Sequence, residues 1–311
     1  MKVLVTGGAG YIGSVTVARL LEAGHDVVVL DSLERGHRDA VADSATFVHG
    51  DIRDRELLDG ALRGVDAVMN FAALSLVAES VQQPERYFLV NAEGMSVLLA
   101  AMAGNGVHRL VQSSTAAVYG EPVQTPIDES QPLTPTNPYG ASKVEAERLV
   151  QEACSQGWLN AFALRYFNVG GSYGHAHERH EPETHLIPNI VTAALSESPF
   201  NLFGTDWPTD DSTAVRDYIH VLDVADAHIA ALESTEHAGF QAVNLGSSTG
   251  YSVRDVIDEV SRQSGVELNT VEHPRREGDP AVLVASNAKA QALLGWTPSR
   301  TLAEIVADYL K

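Results

Sequence analysis

The stretch VLVTGGAGYIG, residues 3–13, decides the fold, because an apolar run ends in a glycine-rich turn and a helical pattern follows directly. That helical pattern runs from about Tyr11 to Leu21, and a second apolar run at 26–30 ends at Asp31. Short apolar runs of this kind are typical of buried parallel strands. The order of strand, glycine turn, helix and strand predicts a βαβ unit with an acidic residue at the end of its second strand.

This βαβ unit has the features of a dinucleotide-binding turn. Glycines at 7, 10 and 13 let the backbone turn tightly and approach a pyrophosphate, and the helix that follows offers unpaired N–H groups to the phosphates. Asp31 comes 18 positions after the last of these glycines. Its carboxylate is placed to accept hydrogen bonds from an adenosine ribose and to repel a 2′-phosphate. We therefore expect NAD, rather than NADP, as the cofactor.

Apolar runs and helical patterns continue to alternate as far as residue 166. The predicted strands are at 46–49, 67–71, 110–114 and 161–165, and the longer predicted helices are at about 84–103 and 139–154. Repeated β-then-α order predicts an α/β fold with a doubly wound parallel sheet. We expect an NAD-binding domain at 1–166 and a smaller substrate-binding region at 167–311 that closes over it. The boundary is soft, because the run at 242–245 is suited to rejoin the first sheet.

Tyr139 and Lys143 begin the helical pattern that starts at PYGASK, residues 138–143. Residues four apart share one face of a helix. An isolated tyrosine is a poor base, with a pKa of about 10, but a nearby cation favours the phenolate and lowers that pKa. The pair is suited to remove a proton from a hydroxyl and to return it. A surface tyrosine with a solvated lysine is the alternative, and the dinucleotide turn favours the catalytic interpretation.

Composition excludes several classes of function. The net charge of −20 argues against a general nucleic-acid binder, and no run of Lys and Arg offers a patch for a membrane surface. We expect no apolar run long enough to span a bilayer. Cys154 is the only cysteine, so no internal disulfide forms. The chain opens with a strand rather than a signal peptide, and we expect a cytoplasmic protein.

Histidines at 175, 177, 180 and 185 raise the alternative of a metal site. Their spacing matches no recognisable ligand pattern, so we expect no metal there. His220 lies in an apolar stretch, where a hydrogen-bonded core or pocket-wall histidine is the more natural interpretation than a catalytic one.

Several further stretches carry a family resemblance along essentially the whole chain. They are GDIRD at 50–54, FAA at 71–73, SSTAAVYG at 113–120, RYFN at 165–168, FGTDWPT at 203–209, VRDYIHV at 215–221 and RREGD at 275–279. With the glycine turn and Tyr139, they resemble the extended short-chain dehydrogenase/reductase family, and are most similar to its UDP-galactose 4-epimerase members. The resemblance implies NAD-dependent interconversion of UDP-glucose and UDP-galactose, through C4 oxidation, rotation of a 4-keto intermediate and re-reduction. It also implies a homodimer formed through helices near 84–103 and 139–154.

The resemblance assigns a role to each matching position. The cofactor-binding positions it implies are Gly7, Gly10, Tyr11, Ile12, Asp31, Ser32, Asp51, Ile52, Phe71, Ala72, Ala73, Asn91, Tyr139, Lys143 and Phe167. The catalytic positions are Thr115, Tyr139 and Lys143. The positions for the UDP-sugar are Asn168, His185, Leu186, Phe203, Arg216, Arg276 and Asp279, of which the two arginines would clamp the diphosphate.

Departures from the family pattern leave alternatives open. Ser75 stands where some members carry Lys, and His185 where many carry Asn. Leu283 stands where some carry a bulky Tyr facing the sugar's C2 substituent, so N-acetylated UDP-hexosamines are a further candidate. Ala116 and Ala117 argue against a sugar-nucleotide dehydratase, which requires acidic residues there. A UDP-uronate epimerase and a non-catalytic NAD-binding protein remain as alternatives.

Overall fold

Strands and helices alternate along the first half of the chain, as the sequence predicts. The structure is a computed structural model that describes residues 1–174, 176–179, 183–234, 238–276 and 279–311. Its described strands are β1 (Lys2–Thr6), β2 (Asp26–Asp31), β3 (Thr46–His49), β4 (Ala67–Asn70), β5 (Arg109–Thr115), β6 (Asn160–Tyr166), β7 (Asn168–Gly170), β8 (Phe200–Phe203), β9 (Val215–His220), β10 (Phe240–Leu245), β11 (Gly250–Ser252), β12 (Thr270–His273) and β13 (Val282–Leu283). Its described helices are α1 (Tyr11–Glu22), α2 (Arg55–Ala61), α3 (Val77–Gln82), α4 (Pro84–Phe88), α5 (Gly94–Gly104), α6 (Pro138–Ser155), α7 (Leu186–Leu195), α8 (Val221–Glu233), α9 (Val253–Ser264), α10 (Ala288–Leu294) and α11 (Leu302–Tyr309).

Among the described residues, seven parallel strands form the main sheet, in the order β10-β6-β5-β4-β1-β2-β3. The order reverses at β1, which pairs with β2 on one side and with β4 on the other. In open sheets of this type, ligands bind beyond the carboxyl ends of the strands at such a reversal. The glycine turn after β1 and the ends of β2, β4 and β5 therefore share one edge, and the predicted doubly wound sheet is confirmed.

The sheet is covered on both faces, and the alternation of side chains along β1 explains how. Val3 and Val5 pack into a core that includes residues of α1 and α8. Leu4, which points the other way, packs into a second core with residues of α2, α5 and α6. Successive residues of a strand face opposite sides, so one apolar run serves two cores.

The smaller region is built around β9. In the described residues β9 pairs with β7, β11 and β13, while β8 pairs with β12. Helices α7, α9 and α11 pack together there in a separate apolar core. The run at 242–245 does rejoin the main sheet, since β10 forms its edge beside β6. The division at residue 166 remains a prediction, and the sheet itself includes a strand from beyond it.

The predicted helix at 84–103 is interrupted. Helix α4 passes through a π-helical turn at Leu89–Glu93 before α5 begins. The expectation that no run reaches membrane-spanning length was wrong, because the stretch Pro84–Gly104 is long and apolar enough by composition. Half of that stretch is buried inside the protein, and Met95, Leu98 and Met102 are fully buried in the core beside the sheet. The apolar composition is accounted for by packing against the sheet and α6.

Candidate active site

The glycine turn between β1 and α1 is sterically fixed. Gly7 has φ +72°, and a Cβ there would lie 2.4 Å from the backbone nitrogen of Ala72. A Cβ at Gly13 would lie 2.2 Å from the carbonyl oxygen of Gly7. Gly10 is the N-cap of α1, and no side chain of the described residues caps that end. At the predicted pyrophosphate site, the backbone of the glycine turn therefore lies too close to its neighbours for a side chain. The helix N-terminus at Tyr11 and Ile12 has no capping side chain among the described residues, so its N–H groups are available to a phosphate.

Asp31 ends β2 as predicted and is almost fully buried. One carboxylate oxygen accepts from the backbone N–H of Ala9 at 2.9 Å, and the other from that of Leu33 at 2.8 Å. A carboxylate oxygen can accept more than one hydrogen bond, so acceptor capacity remains for a ribose. These two bonds hold the carboxylate against the glycine turn, while Ser32 beside it is exposed.

Asp51 and Ile52, the predicted adenine contacts, follow β3. Arg53 donates from Nε to one oxygen of Asp51 at 2.8 Å and from Nη2 to the other at 2.6 Å. This hydrogen-bonded arginine lowers the pKa of Asp51 and keeps it ionised. Ile52 is buried and packs in the core that also contains Leu4.

The segment after β4 is tied to the catalytic helix through Asn91. The Asn91 amide accepts from the N–H of Leu74 at 2.8 Å and donates to the carbonyl of Leu74 at 3.0 Å. It also donates to the hydroxyl of Ser142 on α6 at 2.9 Å. Asn91 is buried, and its described contacts stabilise the segment that directly follows Ala72 and Ala73. Its contact with the cofactor remains a prediction.

Helix α6 begins where the sequence predicts, and its cap places Tyr139 in the first turn. Asn137 is the N-cap, and its side chain accepts from the N–H of Gly140 at 2.9 Å. Pro138 occupies the first position, where its fixed φ favours the helix and its missing N–H is not needed. Tyr139 is partly buried, and its ring meets that of Tyr87 edge-on at 6.4 Å.

Thr115, Tyr139 and Lys143 meet at the end of β5. The Thr115 hydroxyl lies close enough to that of Tyr139 to influence its pKa. The Lys143 ammonium group donates to the carbonyl of Ser113 at 3.0 Å, and Lys143 is itself almost fully buried. Asn168 and Phe167 follow on from β6, the strand next to β5. The structure therefore brings the three predicted catalytic residues together at the edge where the sheet presents its ligand crevice.

Burial determines the direction in which the pKa values of Tyr139 and Lys143 are shifted. Burial raises the pKa of Tyr139, while the nearby hydroxyl of Thr115 acts in the opposite direction. Burial lowers the pKa of Lys143 to about 8, while the nearby carboxylate of Glu147 acts to raise it. The expectation that the lysine brings the pKa of Tyr139 down was wrong for the protein's own groups. Desolvation outweighs the favourable interactions, since Lys143 is almost fully buried and Tyr139 is partly buried.

A buried polar network next to this group was not predicted. Glu147, one turn beyond Lys143 on α6, accepts from the hydroxyl of Ser114 at 2.5 Å. Arg165 on β6 donates to both oxygens of Glu147 and also to the hydroxyl of Tyr119 at 2.9 Å. The i, i+4 spacing of Lys143 and Glu147 was a signal available in the sequence. The partner strand, however, is set only by the fold.

His228 is a second residue that the sequence did not single out. Its ring lies 4.6 Å from that of Phe71, a predicted cofactor contact. Its Nδ1 pairs with the carbonyl of Val224 at 2.8 Å, so in the neutral ring that nitrogen carries the proton. Nε2 then accepts from the hydroxyl of Tyr166 at 2.6 Å. Burial lowers the pKa of His228 to about 4, so the ring is neutral near pH 7 and orients Phe71 and Tyr166.

The predicted nucleotide pocket lies in the smaller region. Arg216 on β9 is mostly buried, and its Nη2 lies 3.9 Å from a carboxylate oxygen of Asp279. The guanidinium of Arg276 lies 4.3 Å above the ring of Phe203, whose other neighbour is the stacked ring of His273. Glu277 and Gly278, in the predicted RREGD stretch, lie outside the described residues. The described geometry brings Arg216 to Asp279 and Arg276 to Phe203.

The loop before α7 brings together three side chains of the kinds that can bind a metal ion. Ligand atoms of Glu178, Glu183 and His185 lie within 4.8 Å of one another in the described residues. His185 Nδ1 pairs with Glu183 at 2.8 Å and with Glu178 at 3.0 Å. Burial lowers the pKa of His185, but these two carboxylates outweigh it and raise the pKa overall. His175 and His180 lie outside the described residues, and the absence of a metal remains a prediction.

Leu283 packs beside residues that directly adjoin the catalytic group in the sequence. It forms β13, where it is the partner of Arg216, and it packs against a cluster that includes Ala116 and Phe167. Ala116 directly follows Thr115. The position that the resemblance assigns to the sugar's C2 side therefore lies between the catalytic group and the predicted nucleotide pocket.

Comparisons with known proteins agree with this geometry. A family model described as NAD dependent epimerase/dehydratase family matches residues 3–246. A UDP-glucose 4-epimerase of Corynebacterium glutamicum is 49% identical over 99% of this chain and 94% of its own. The crystal structure of UDP-glucose 4-epimerase from Brucella ovis in complex with NAD has a TM-score of 0.95 at 39% identity, covering 99% of this chain and 96% of that one. The Stenotrophomonas maltophila enzyme, with bound NAD and formylated UDP-arabinopyranose, has a TM-score of 0.96 at 38% identity and the same coverages.

Proposed function

The chain belongs to the NAD dependent epimerase/dehydratase family, and from that premise we propose that it interconverts UDP-glucose and UDP-galactose. The observation that carries the proposal is the meeting of Thr115, Tyr139 and Lys143 at the carboxyl edge of the sheet. A proton-transfer group stands there beside a glycine turn built for a dinucleotide. The chain is therefore an NAD-dependent isomerase of UDP-sugars.

The residues of the glycine turn fit NAD. The close approach of Gly7 to Ala72 leaves no room for a side chain between them, and the N-terminus of α1 has no capping side chain in the described residues. Asp31 is anchored by two backbone N–H groups and keeps acceptor capacity for ribose hydroxyls. NAD⁺, when bound, supplies the acceptor for a hydride from the sugar's C4, the donor for its return, and a positive charge on its nicotinamide ring.

Tyr139 performs the proton transfer. Its phenolate removes the proton from the sugar's 4-hydroxyl, and the resulting tyrosine returns a proton when the 4-keto group is reduced on its other face. Thr115 donates to the phenolate, which opposes the effect of burial on the pKa of Tyr139. Lys143 adds a buried cation on the same helix face, which acts in favour of the phenolate but does not by itself outweigh the effect of burial on the pKa of Tyr139.

The nucleotide end of the substrate is the part that the protein retains. Arg216, mostly buried beside Asp279, is suited to hold the diphosphate, while the sugar turns about it. Binding energy placed away from the reacting carbon leaves the sugar ring free to present its second face. Asn168, His185, Leu186, Phe203, Arg276 and Asp279 are the further residues proposed to line this pocket.

The test is conversion of UDP-galactose followed by NMR, without added cofactor. We expect UDP-glucose to accumulate, and the Tyr139→Phe variant to be inactive while it still binds NAD⁺. The matched control is Tyr87→Phe, which removes a buried hydroxyl bonded to Leu76 and Glu79 rather than to Thr115. If no turnover occurs even with NAD⁺ added, UDP-glucuronate and UDP-GlcNAc are tested next. If that also fails while NAD⁺ binds, the chain is a non-catalytic NAD-binding protein.

A second substrate class is favoured by one observation. Leu283 leaves more room than the tyrosine that some family members carry, and it packs beside Ala116 and Phe167. We therefore propose that UDP-GlcNAc and UDP-GalNAc are also interconverted. A Leu283→Tyr variant should lose this activity and keep the conversion of UDP-galactose. Turnover of UDP-glucose with none of UDP-GlcNAc in the unchanged chain would contradict the proposal.

The assembly and compartment are further proposals. We propose a homodimer through the helices near 84–103 and 139–154, because Phe88 and Leu89 are exposed on the first of these stretches. Sedimentation of a Phe88→Asp variant should show a monomer, while Val271→Asp, an exposed apolar position elsewhere, should leave the dimer intact. We also propose a cytoplasmic location, with which the single cysteine, the buried Cys154, agrees.

A further inference from the structure

The last turn of α11, near the far end of the sequence, lies against Tyr11 of the cofactor-binding turn and against the loop at 171–172. Two side chains make these contacts, Asp308 and Tyr309, which we call the α11 clasp. Neither residue belongs to a stretch that the family resemblance singled out. Both are mostly removed from solvent.

Tyr309 reaches the first residue of α1. Its hydroxyl donates to Glu178 at 3.1 Å and lies beside the hydroxyl of Tyr11. Tyr11 in turn donates to the carbonyl of Gly171 at 2.5 Å. Tyr11 follows Gly10 directly, so its ring fixes the position of the backbone that faces the pyrophosphate.

Asp308 holds the other side of the same loop. One of its carboxylate oxygens accepts from the N–H of Ser172 at 2.7 Å and from Nε2 of His220 at 2.9 Å. Nδ1 of His220 accepts from the N–H of Leu222, so the proton of the neutral ring lies on Nε2 and points to Asp308. Gly171 has φ +90°, and a Cβ there would lie 2.6 Å from His220 Nε2. The loop at 171–172 is thus pressed between His220 and the clasp.

We propose that Asp308 and Tyr309 are positioning residues for the cofactor site, which they act on through Tyr11 and the loop at 171–172. The inference rests on the proposed function for its assignment of the glycine turn to NAD. Glu178 extends the effect, because its carboxylate bonds both Tyr309 and His185, which directly precedes α7. The clasp therefore couples the NAD turn to the loop that leads into the predicted nucleotide pocket.

The direct test is the rate at which bound labelled NAD⁺ exchanges with unlabelled NAD⁺, measured without sugar. We expect exchange to be about five- to tenfold faster in Tyr309→Phe and in Asp308→Asn, because loss of one such hydrogen bond changes a binding equilibrium by about that factor. The KM for UDP-galactose should rise in the same variants, while kcat stays within about twofold. A general loss of stability would not produce this split between KM and kcat.

Two control variants separate positioning from folding. Ser299→Ala weakens the docking of the same segment at Asp223, away from Tyr11. Lys311→Gln removes the exposed partner of the other oxygen of Asp308. Both should exchange NAD⁺ at the rate of the unchanged protein. Equal acceleration in Ser299→Ala, or no acceleration in Tyr309→Phe, would overturn the inference.

A further variant covers the case in which Asp308→Asn fails to fold. Tyr11→Phe removes the hydroxyl that lies beside Tyr309 and donates to Gly171, and it should also accelerate exchange. A normal rate in that variant contradicts the proposal. The exchange measurement needs no turnover. Failure of the epimerase assay would therefore overturn the proposed function but not the exchange result. Unchanged exchange rates in the variants would overturn this inference but not the proposed function.

Discussion

Arg165 donates two hydrogen bonds to the carboxylate of Glu147 inside the protein, from Nε to Oε1 at 3.0 Å and from Nη2 to Oε2 at 2.6 Å. The two side chains are only 5% and 4% exposed. Glu147 lies one turn beyond Lys143, and it also accepts from Ser114, which precedes Thr115. The pair thus joins β6, α6 and the end of β5 behind the proposed catalytic group.

Removing one partner of this pair should be costly. We expect Glu147→Gln to lower the free energy of unfolding by about 3–5 kcal/mol, because Arg165 then keeps a buried charge without its counter-ion. Urea unfolding measures the change. The matched control is Glu145→Gln on the same helix, whose partner Arg148 is exposed. That variant should change stability by about 0–1 kcal/mol, and an equally small effect for Glu147→Gln would contradict the prediction.

The neutral state of His228 predicts how stability depends on pH. Burial lowers the pKa of His228 to about 4, whereas an unfolded histidine titrates near pH 6.5. Between these values the unfolded chain binds more protons than the folded one, so the free energy of unfolding falls as pH falls from about 6.5 towards 4. His228→Gln should flatten this dependence between pH 7 and pH 5 in urea titrations. Identical pH slopes for the two proteins would show that His228 is not buried as a neutral ring.

Gly7 should not tolerate even a methyl group. Its φ of +72° and the 2.4 Å approach of a Cβ to the backbone of Ala72 both oppose Gly7→Ala. We expect that variant to lose NAD⁺ binding, since the turn must move to relieve the contact. Gly24→Ala is the matched control, because Gly24 has φ +81° with no atom within 4 Å of a Cβ. It should cost only the backbone strain, about 1–2 kcal/mol, and retain NAD⁺. Loss of NAD⁺ binding in both variants would point to strain rather than to the close approach.

The features that the sequence could predict are those with local signals. The glycine turn, Asp31 at the end of β2 and the helix that carries Tyr139 each follow from spacing, caps and apolar runs within about thirty residues. The partnership of Glu147 with Arg165 depends on which strand lies against α6. That contact is a product of the sheet order, and no local pattern encodes it.

The prediction that Lys143 lowers the pKa of Tyr139 was wrong for the same reason, because burial depends on the fold and not on a local pattern. The sequence places a lysine four residues away, but it does not show how far both groups are removed from water. Burial raises the pKa of Tyr139 and lowers that of Lys143, so desolvation decides both directions. Likewise, the sequence around His228 predicts an apolar helix, but it does not predict that the His228 ring contacts Phe71.

Arg216 should matter for binding rather than for the chemical step. The chain carries a net charge of −20, so an anionic diphosphate needs a local cation to overcome the repulsion of the whole protein. Arg216 is mostly buried, and burial lowers its pKa, yet a guanidinium remains protonated at neutral pH. We expect Arg216→Met to raise the KM for UDP-galactose by about 10- to 100-fold with little change in kcat, because contacts held throughout the reaction stabilise ground and transition states alike.

Arg216→Lys keeps the charge but not the forked pair of donors, so its KM should fall between those of the methionine variant and the unchanged protein. Arg275→Gln is the control for charge alone. Arg275 lies over Trp207 and pairs with the exposed Asp206, rather than with Asp279, the partner of Arg216. It should raise KM by less than about threefold, an effect that salt screens. If Arg275→Gln and Arg216→Met raise KM equally, the field of the whole protein, rather than a specific clamp, holds the diphosphate.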